Sequence, residues 1–385
     1  MGIEFRLGQF DHKVVEDFLT EDPQGVGAIW IDARHVRFQK GAIEAAKTVG
    51  VAVLIEPLTE RLVVSGFEPS RLGYAAKAPI DLAALISGSG RDGFVRAVLR
   101  PQIDAATALV PPYFYVSSSD IADLNVDLAA RTLDLDVRPV RAILLASREF
   151  LAHGNTAREL ADRYLAAGIE AIELRLSPLG GEDESFSKIR SALDIVTAFA
   201  GSGLHVFLGQ QGQLGQTALA LRLVRAFSVG IGMNEHVNHA AVIKRQSQTK
   251  DAEDEEVRQG PVAGVYLSEA AITVTRRTAR ALYQDRSLRT KLSCPLAPCA
   301  AQYDGPLLDV RAHDLHAREQ SVATLQSRPA SWRSTQEQDR LNRALEFRDF
   351  LNRNLPAGLR PFKTRTVRGL LNEINYRGHK PALSA

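Results

Sequence analysis

Apolar positions along the chain follow two periods, one short and strand-like, one of helical spacing. Eight short apolar runs occur, Ala28–Ala33, Val51–Pro57, Tyr113–Ser117, Ala142–Ser147, Ala171–Ser177, His205–Gly209, Ala226–Gly230 and Gly264–Ser268, each closed by polar or glycine-rich residues. Most are separated by segments with helical periodicity, such as Thr156–Gly168 and Ser185–Gly201. Strand and helix alternating in this way predict an α/β protein of the (β/α)8 TIM-barrel class. In that fold the chemistry sits on the loops that follow the C-terminal ends of the strands.

A barrel needs roughly 250 residues. Residues 1–290 are therefore expected to form it, and 291–385 a C-terminal helical extension with a Cys/His cluster and a basic tail. Residues 1–27 read as a lead-in, a strand and a helix capping the barrel floor. The link 58–112 is too long for a simple crossover and contains Gly66, Pro69, Pro79, Gly88-Ser89-Gly90 and Pro111-Pro112. It is expected to be an insertion with one or two helices over a barrel face, as substrate lids are. Ala317–Leu325 and Glu337–Asn352 read as amphipathic helices on the barrel side.

Composition is ordinary for a globular protein, 45% apolar and 24% charged. No apolar run has the length of a membrane span, and the N-terminus lacks a signal-peptide core, so a soluble cytoplasmic protein is expected. Two cysteines exclude a disulfide framework. The net charge is only +2, yet Arg353, Arg360, Lys363, Arg365, Arg368, Arg377 and Lys380 face a single acid, Glu373, in the tail. This predicts a polyanion partner, with a merely solvated tail as the alternative. Phe362, Val367, Leu370, Leu371 and Ile374 predict that part of the tail docks as a helix. The run from Lys250 to Glu256 reads as a solvated loop.

The strand ends supply the candidate chemistry. Asp32 closes the first run and Glu56 the second, and Glu173 and Arg175 share one strand face. Opposite charges on a buried face must pair or serve a site. Carboxylates at a barrel mouth are candidates for acid, base or nucleophile, the alternative being a salt bridge to Arg175. Gln210 and Gln211 follow the sixth run, where an amide suits a heteroaromatic base. Gly230 and Gly232, with Glu235 after them, would let a planar ligand approach bare backbone. Cys294 and Cys299, followed by His313 and His316, make a tetrahedral zinc set, the two histidines facing one way on a helix. The alternative is two unrelated cysteines near a proline-rich turn.

In order along the chain, Gln211-Gly212, then Gly230, Gly232 and Glu235, then Cys294, Cys299 and His313 or His316 resemble the tRNA-guanine transglycosylase family. Asp32, Phe38 and Gln39 are similar to that family's Asp-Ser-Gly-Gly-Phe-Gln segment. The resemblance covers about residues 200–320. It implies a barrel that exchanges guanine for a 7-deazaguanine in tRNA or DNA, and a structural zinc held by three cysteines and a histidine. It also implies a carboxylate nucleophile, Asp32, Glu56 or Glu269, with Gln211 and Glu235 reading the base and Arg175 in the substrate site. Its partners would be a nucleic acid and a small-molecule base, with a homodimer left open. The chain departs from the family in three places: no aspartate follows the last run, a third ligand cysteine is absent, and Ile231 interrupts the Gly-Gly pair. Two other classes remain open, a small-molecule barrel enzyme (lyase, hydrolase or oxidoreductase) and a non-catalytic nucleic-acid or protein-binding barrel.

Overall fold

A computed structural model describes all residues except 1, 70, 76–77, 233–234, 248–262, 297–298, 300–303 and 379–385. The charged run from Lys250 to Glu256 and the tail residue Lys380 thus lie outside the described residues. Seven strands form one parallel sheet: β1 (Gly2–Arg6), β2 (Val26–Asp32), β3 (Ala52–Glu56), β4 (Arg141–Ser147), β5 (Ala171–Ser177), β6 (His205–Leu208) and β7 (Ala226–Gly230). Their spatial order is β3-β2-β1-β7-β6-β5-β4, so the first strand lies inside the ladder, between β2 and β7.

The sheet curls, and the alternation of side chains shows it. Ile3, Phe5, Ile29, Ile31, Val53, Ile55, Leu144, Ile172 and Leu174 point outward into the main core beneath the helices. Their neighbours Ala28, Trp30, Leu54, Ile143 and Leu145 join Val110, Tyr113 and Val237 in a separate interior cluster. A sheet buried on both faces reads as near-continuous apolar runs, which is why these strands are legible.

The architecture is TIM-like, but the regular ladder is not closed, and two expected strands differ. Tyr113–Ser117 forms no ladder. Its segment makes isolated parallel bridges from Leu109 to Val140 and from Val116 to Ala146, and Thr107 donates to the Val53 carbonyl at 2.9 Å. Pro111 and Pro112 lack the N–H groups a ladder needs, so the chain spans the gap between β3 and β4 irregularly. The run Gly264–Ser268 is not a stave of the sheet either. Its core is β8 (Val265–Leu267), which turns through Ala271 (φ 48°) and pairs antiparallel with β9 (Ile272–Val274). β1 holds the place between β2 and β7 instead.

Helices Leu82–Ile86 and Arg91–Leu99 occupy the link after β3. In the C-terminal third, Leu315, Val322 and Leu325 of helix Val310–Gln326, Leu341 of helix Arg333–Arg353, and Val367, Leu370 and Ile374 of helix Arg365–Gly378 all belong to the barrel's outer core. A second, smaller core joins the β8–β9 hairpin to helices Arg276–Gln284 and Arg286–Leu292 and to Val310, Leu351 and Phe362. Among the described residues no helix is long and apolar enough to cross a membrane.

Candidate active site

The barrel interior is charged in layers. In the lower layer Arg141 on β4 donates to both carboxylate oxygens of Glu4 on β1, at 2.8 and 2.7 Å, and the Trp30 indole N–H donates to Glu4 at 2.7 Å. One turn of pleat higher, Arg175 on β5 donates through Nη2 to Glu56 at 2.5 Å and through Nε to Glu173 at 2.5 Å. Arg6 also reaches both, donating to Glu56 and to Glu173, and bonds the Ser228 hydroxyl at 3.2 Å. The Tyr113 hydroxyl donates to Glu56 and accepts from Arg175 at 3.0 Å. Two guanidiniums and two carboxylates thus balance, as buried charge must. Burial alone would raise the Glu56 pKa, but Arg175 and then Arg6 outweigh it and hold the carboxyl at about 2. Burial, followed by the Glu56 charge, pushes Tyr113 well up.

Above this layer is the mouth. Asp32 is in register with Glu56 and accepts from Arg34, at 2.8 Å from the backbone N–H and 2.5 Å from Nη2. Glu60, in the turn after β3, is buried with Oε2 unpartnered, and the Tyr74 hydroxyl is likewise buried without a partner. Burial and then the neighbouring Glu56 charge raise Glu60. Burial, then Glu60 and Asp32, raise Tyr74. The segment carrying these two residues is tied down by the Gln246 amide, which donates to the Arg61 and Val64 carbonyls at 2.9 and 3.0 Å. On the β4–β5 side, Tyr115 stacks on His239 with ring centres 4.3 Å apart. The His239 backbone N–H donates to the Ser177 hydroxyl at 2.9 Å. Burial, then the Arg61 charge, pushes the imidazole down to about 4.

The loops after β6 and β7 meet. Gln210 takes a left-handed backbone (φ 55°), and Gln211 donates its amide to the Leu179 carbonyl at 3.2 Å while its Oε1 is buried and unpartnered. Gly212 abuts the Glu235 carboxylate so closely that a Cβ there would collide with it. Glu235 itself accepts from Arg318 and Thr273, and Arg318 also donates to Asp314 at 2.9 Å. Gly230 ends β7 opposite Arg6, and Gly232 (φ 68°) donates its N–H to Asp314 at 3.1 Å.

Two groups of expected residues therefore form, Asp32 with Glu56 and Arg175, and Gln211 with Glu235. Glu269 belongs to neither: it is exposed at the β8–β9 turn, on a cleft outside the barrel. Arg6, Tyr113, Glu60, Tyr74 and His239 are additions to the sequence reading. The alternation Ile3-Glu4-Phe5-Arg6 held the signal for Arg6. Glu60 and Tyr74 lie in irregular chain, where no periodicity could place them.

Cys294, Cys299 and His313 converge, their ligand atoms all within 4.8 Å of one another and all three residues buried. Cys299 Sγ lies 3.3 Å from His313 Nδ1, and His313 Nε2 donates to the Tyr266 carbonyl at 2.7 Å. That carbonyl fixes the tautomer and presents Nδ1 to the thiols, the outer-shell arrangement common to metal-binding histidines. The donor set suits zinc. His316 is not part of it: its ring packs edge-on to Phe18 at 4.9 Å, and Nε2 lies 3.7 Å from Glu21. A spacing of three on a helix rotates the side chain by about 60°, enough here to turn it from the hairpin toward helix His12–Leu19.

No protein-family model and no curated protein matches the chain. Among solved structures it is similar to a mutant O-GlcNAc hydrolase of Thermobaculum terrenum, at 10% identity and a TM-score of 0.38, covering 97% of this chain and 93% of that one. It is also similar to the apo form of a candidate deoxyribose-phosphate aldolase from Toxoplasma gondii ME49, at 14% identity and a TM-score of 0.36, covering 65% of this chain and 94% of that one. Likenesses of this degree leave the chemistry to be argued from the residues.

Proposed function

We propose that this chain is a nucleobase-exchanging enzyme of the tRNA-guanine transglycosylase type, acting on tRNA or DNA, with a zinc ion held by Cys294, Cys299 and His313. The observation that carries this is the convergence of those three residues on one point, anchored through Tyr266, although no standard spacing motif joins them. The packing of Gln211-Gly212 against Glu235, in the order the family shows, supports it further.

Glu56 has both oxygens committed to Arg6, Arg175 and Tyr113, so it is a poor nucleophile and serves to position the layer above. Asp32 is also held through both oxygens, but by the single side chain of Arg34, and it is nearer solvent, so it is the nucleophile. Its oxygen bonds to the anomeric carbon as the glycosidic C–N bond breaks, and the electron pair leaves with the base. Glu60, its protonated form favoured by burial and by Glu56, gives its proton to the departing base. The incoming base then returns a proton to Glu60 and displaces Asp32 from the sugar. The target nucleotide must leave its stack to reach the mouth, and tail cations such as Arg353, Arg360 and Arg365, all exposed, would hold its flanks. Held by Cys294, Cys299 and His313, a zinc ion would tie the segment of the two cysteines to helix Val310–Gln326.

The test is incorporation of labelled guanine into tRNA or duplex DNA by the full chain, with label surviving denaturation. Asp32→Asn is expected to abolish it and Glu60→Gln to slow it by about 10²–10⁴-fold. Label entering no polymer would refute the proposal.

A second reading, a small-molecule barrel enzyme, is favoured by one feature: the segment after β3 buries Glu60 and the Tyr74 hydroxyl, which suits a small substrate better than a polymer. Chemistry on free nucleosides or other small molecules, sensitive to the same two variants, would decide for it.

A further inference from the structure

The metal site, on which this inference rests together with the proposed function, has three protein donors among the described residues. Among the described residues no other His, Cys, Asp or Glu joins Cys294, Cys299 and His313. His316 is turned to Phe18 and Glu21. Residues 297–298 and 300–303, which flank Cys299 in the sequence, are alanine, proline, glutamine and tyrosine, none a customary zinc ligand. Asp309 spends its Oδ1 on the backbone N–H groups of Arg311 and Ala312, at 3.0 Å each, capping the helix that carries His313.

Beside the group is a cleft of about 280 Å³, walled by Cys294 itself and by Ser268, Glu269, Arg340 and Arg343. Arg340 is committed to Glu337 at 2.7 Å, whereas Arg343 stands exposed at the rim. Zinc sites with four protein ligands are closed and structural, while sites with three keep one position for water or a substrate. The family that the sequence resembles has the closed kind.

We infer that the metal at Cys294, Cys299 and His313 keeps an exchangeable fourth position on the Cys294 side, open to this cleft and taken by water or a small anionic donor. Two thiolates and a neutral imidazole already cancel the charge of a divalent ion, so the anion's own charge is met by Arg343.

The experiment uses the full chain loaded with cobalt(II) in place of zinc, with thiocyanate as the probe and the visible d–d bands as the readout. Cobalt should bind in a thiolate-rich tetrahedral spectrum, and thiocyanate should shift the bands saturably. Glu269→Trp, which fills the cleft from an exposed turn, should raise the half-saturating thiocyanate concentration at least tenfold. Arg343→Ala, at an exposed helical position, should raise it several-fold and gives the answer if the first variant does not fold. Bands indifferent to thiocyanate would overturn the open position and leave the metal in place. Equal response in the wild type and both variants would overturn the cleft as its route. Failure to take up cobalt would overturn the metal itself, whereas absence of base exchange with normal cobalt spectra would count only against the proposed function.

Discussion

One guanidinium joins two strands inside the barrel: Arg175 places Nη2 2.5 Å from Glu56 on β3 and Nε 2.5 Å from Glu173 on its own strand. Glu56 is in turn the acceptor for Arg6 from β1 and for the Tyr113 hydroxyl, so three strands and the irregular stave meet at one carboxylate. Removing Arg175 would leave two buried carboxylates with Arg6 alone. Arg175→Ala is therefore expected to cost about 3–5 kcal/mol, the usual penalty for breaking one side of a buried pair. Arg175→Met with Glu56→Gln together should cost less than Arg175→Ala, because one stranded charge is removed with its partner. Urea unfolding of the three proteins checks this, and equal stability in all of them would mean the network contributes nothing.

Two of the groups that weaken the fold in acid act in separate windows. His239 is held at about 4 against an ordinary 6.5, so the folded state binds fewer protons there than the unfolded chain. Its contribution is whole above 6.5 and is lost as pH falls from about 6.5 to 4. Glu56 is held at about 2 against an ordinary 4.5, and its contribution is lost between about 4.5 and 2. Each shift corresponds to about 3 kcal/mol at most. His239→Phe, which keeps a ring against Tyr115, should reduce the slope in the upper window, where His35 and His205 are also held down, and leave the lower one. Denaturation free energies measured at pH 7, 5 and 3 distinguish the two, and an unchanged slope between 7 and 5 would sink the assignment to His239.

The reach of the sequence can be judged from the same residues. Glu173 and Arg175, two apart in a strand, had to share a face, and a buried face bearing both signs had to find partners. That inference needs only the pleat and the cost of buried charge. The count of strands misled where backbone chemistry overrode apolarity: Tyr113–Ser117 is apolar but follows Pro111-Pro112, and Val265–Leu267 is apolar but turns back on itself at Ala271. Gly2–Arg6 has a two-residue alternation, yet its position at the chain start hid that it lies between the second strand and the last of the sheet. Glu60 and Tyr74 depend on how an irregular segment folds over the mouth, which no local pattern encodes.

The two histidines of helix Val310–Gln326 give a sharp contrast. His313 faces the thiols and His316 faces Phe18 and Glu21. His313→Asn and Cys294→Ser are expected to remove zinc from the purified protein and to lower its melting temperature. His316→Ala is expected to keep the full zinc content, with only a modest loss of stability from the vacated ring contact. Elemental analysis beside thermal melts decides it, and zinc lost from the His316 variant alone would reassign the ligand.

Backbone approaches backbone and side chain closely at Gly180. Gly180 has φ 108°, and a Cβ there would lie 2.7 Å from both Gln211 Oε1 and the Glu235 carbonyl oxygen. Both the dihedral and the contact resist a side chain, so Gly180→Ala should destabilise by about 2–3 kcal/mol and push the Gln211 and Glu235 loops apart. Gly154 also has a positive φ, 54°, but nothing lies within 4 Å of a Cβ there, so Gly154→Ala should cost only about 1 kcal/mol. If those two loops hold the base, the Gly180 variant loses guanine binding by a larger factor than its stability accounts for at temperatures where it remains folded, while the Gly154 variant keeps it. Calorimetric titration with guanine of both variants, well below their melting temperatures, separates strain in the fold from damage to the site. Undiminished binding in the Gly180 variant would place the base elsewhere.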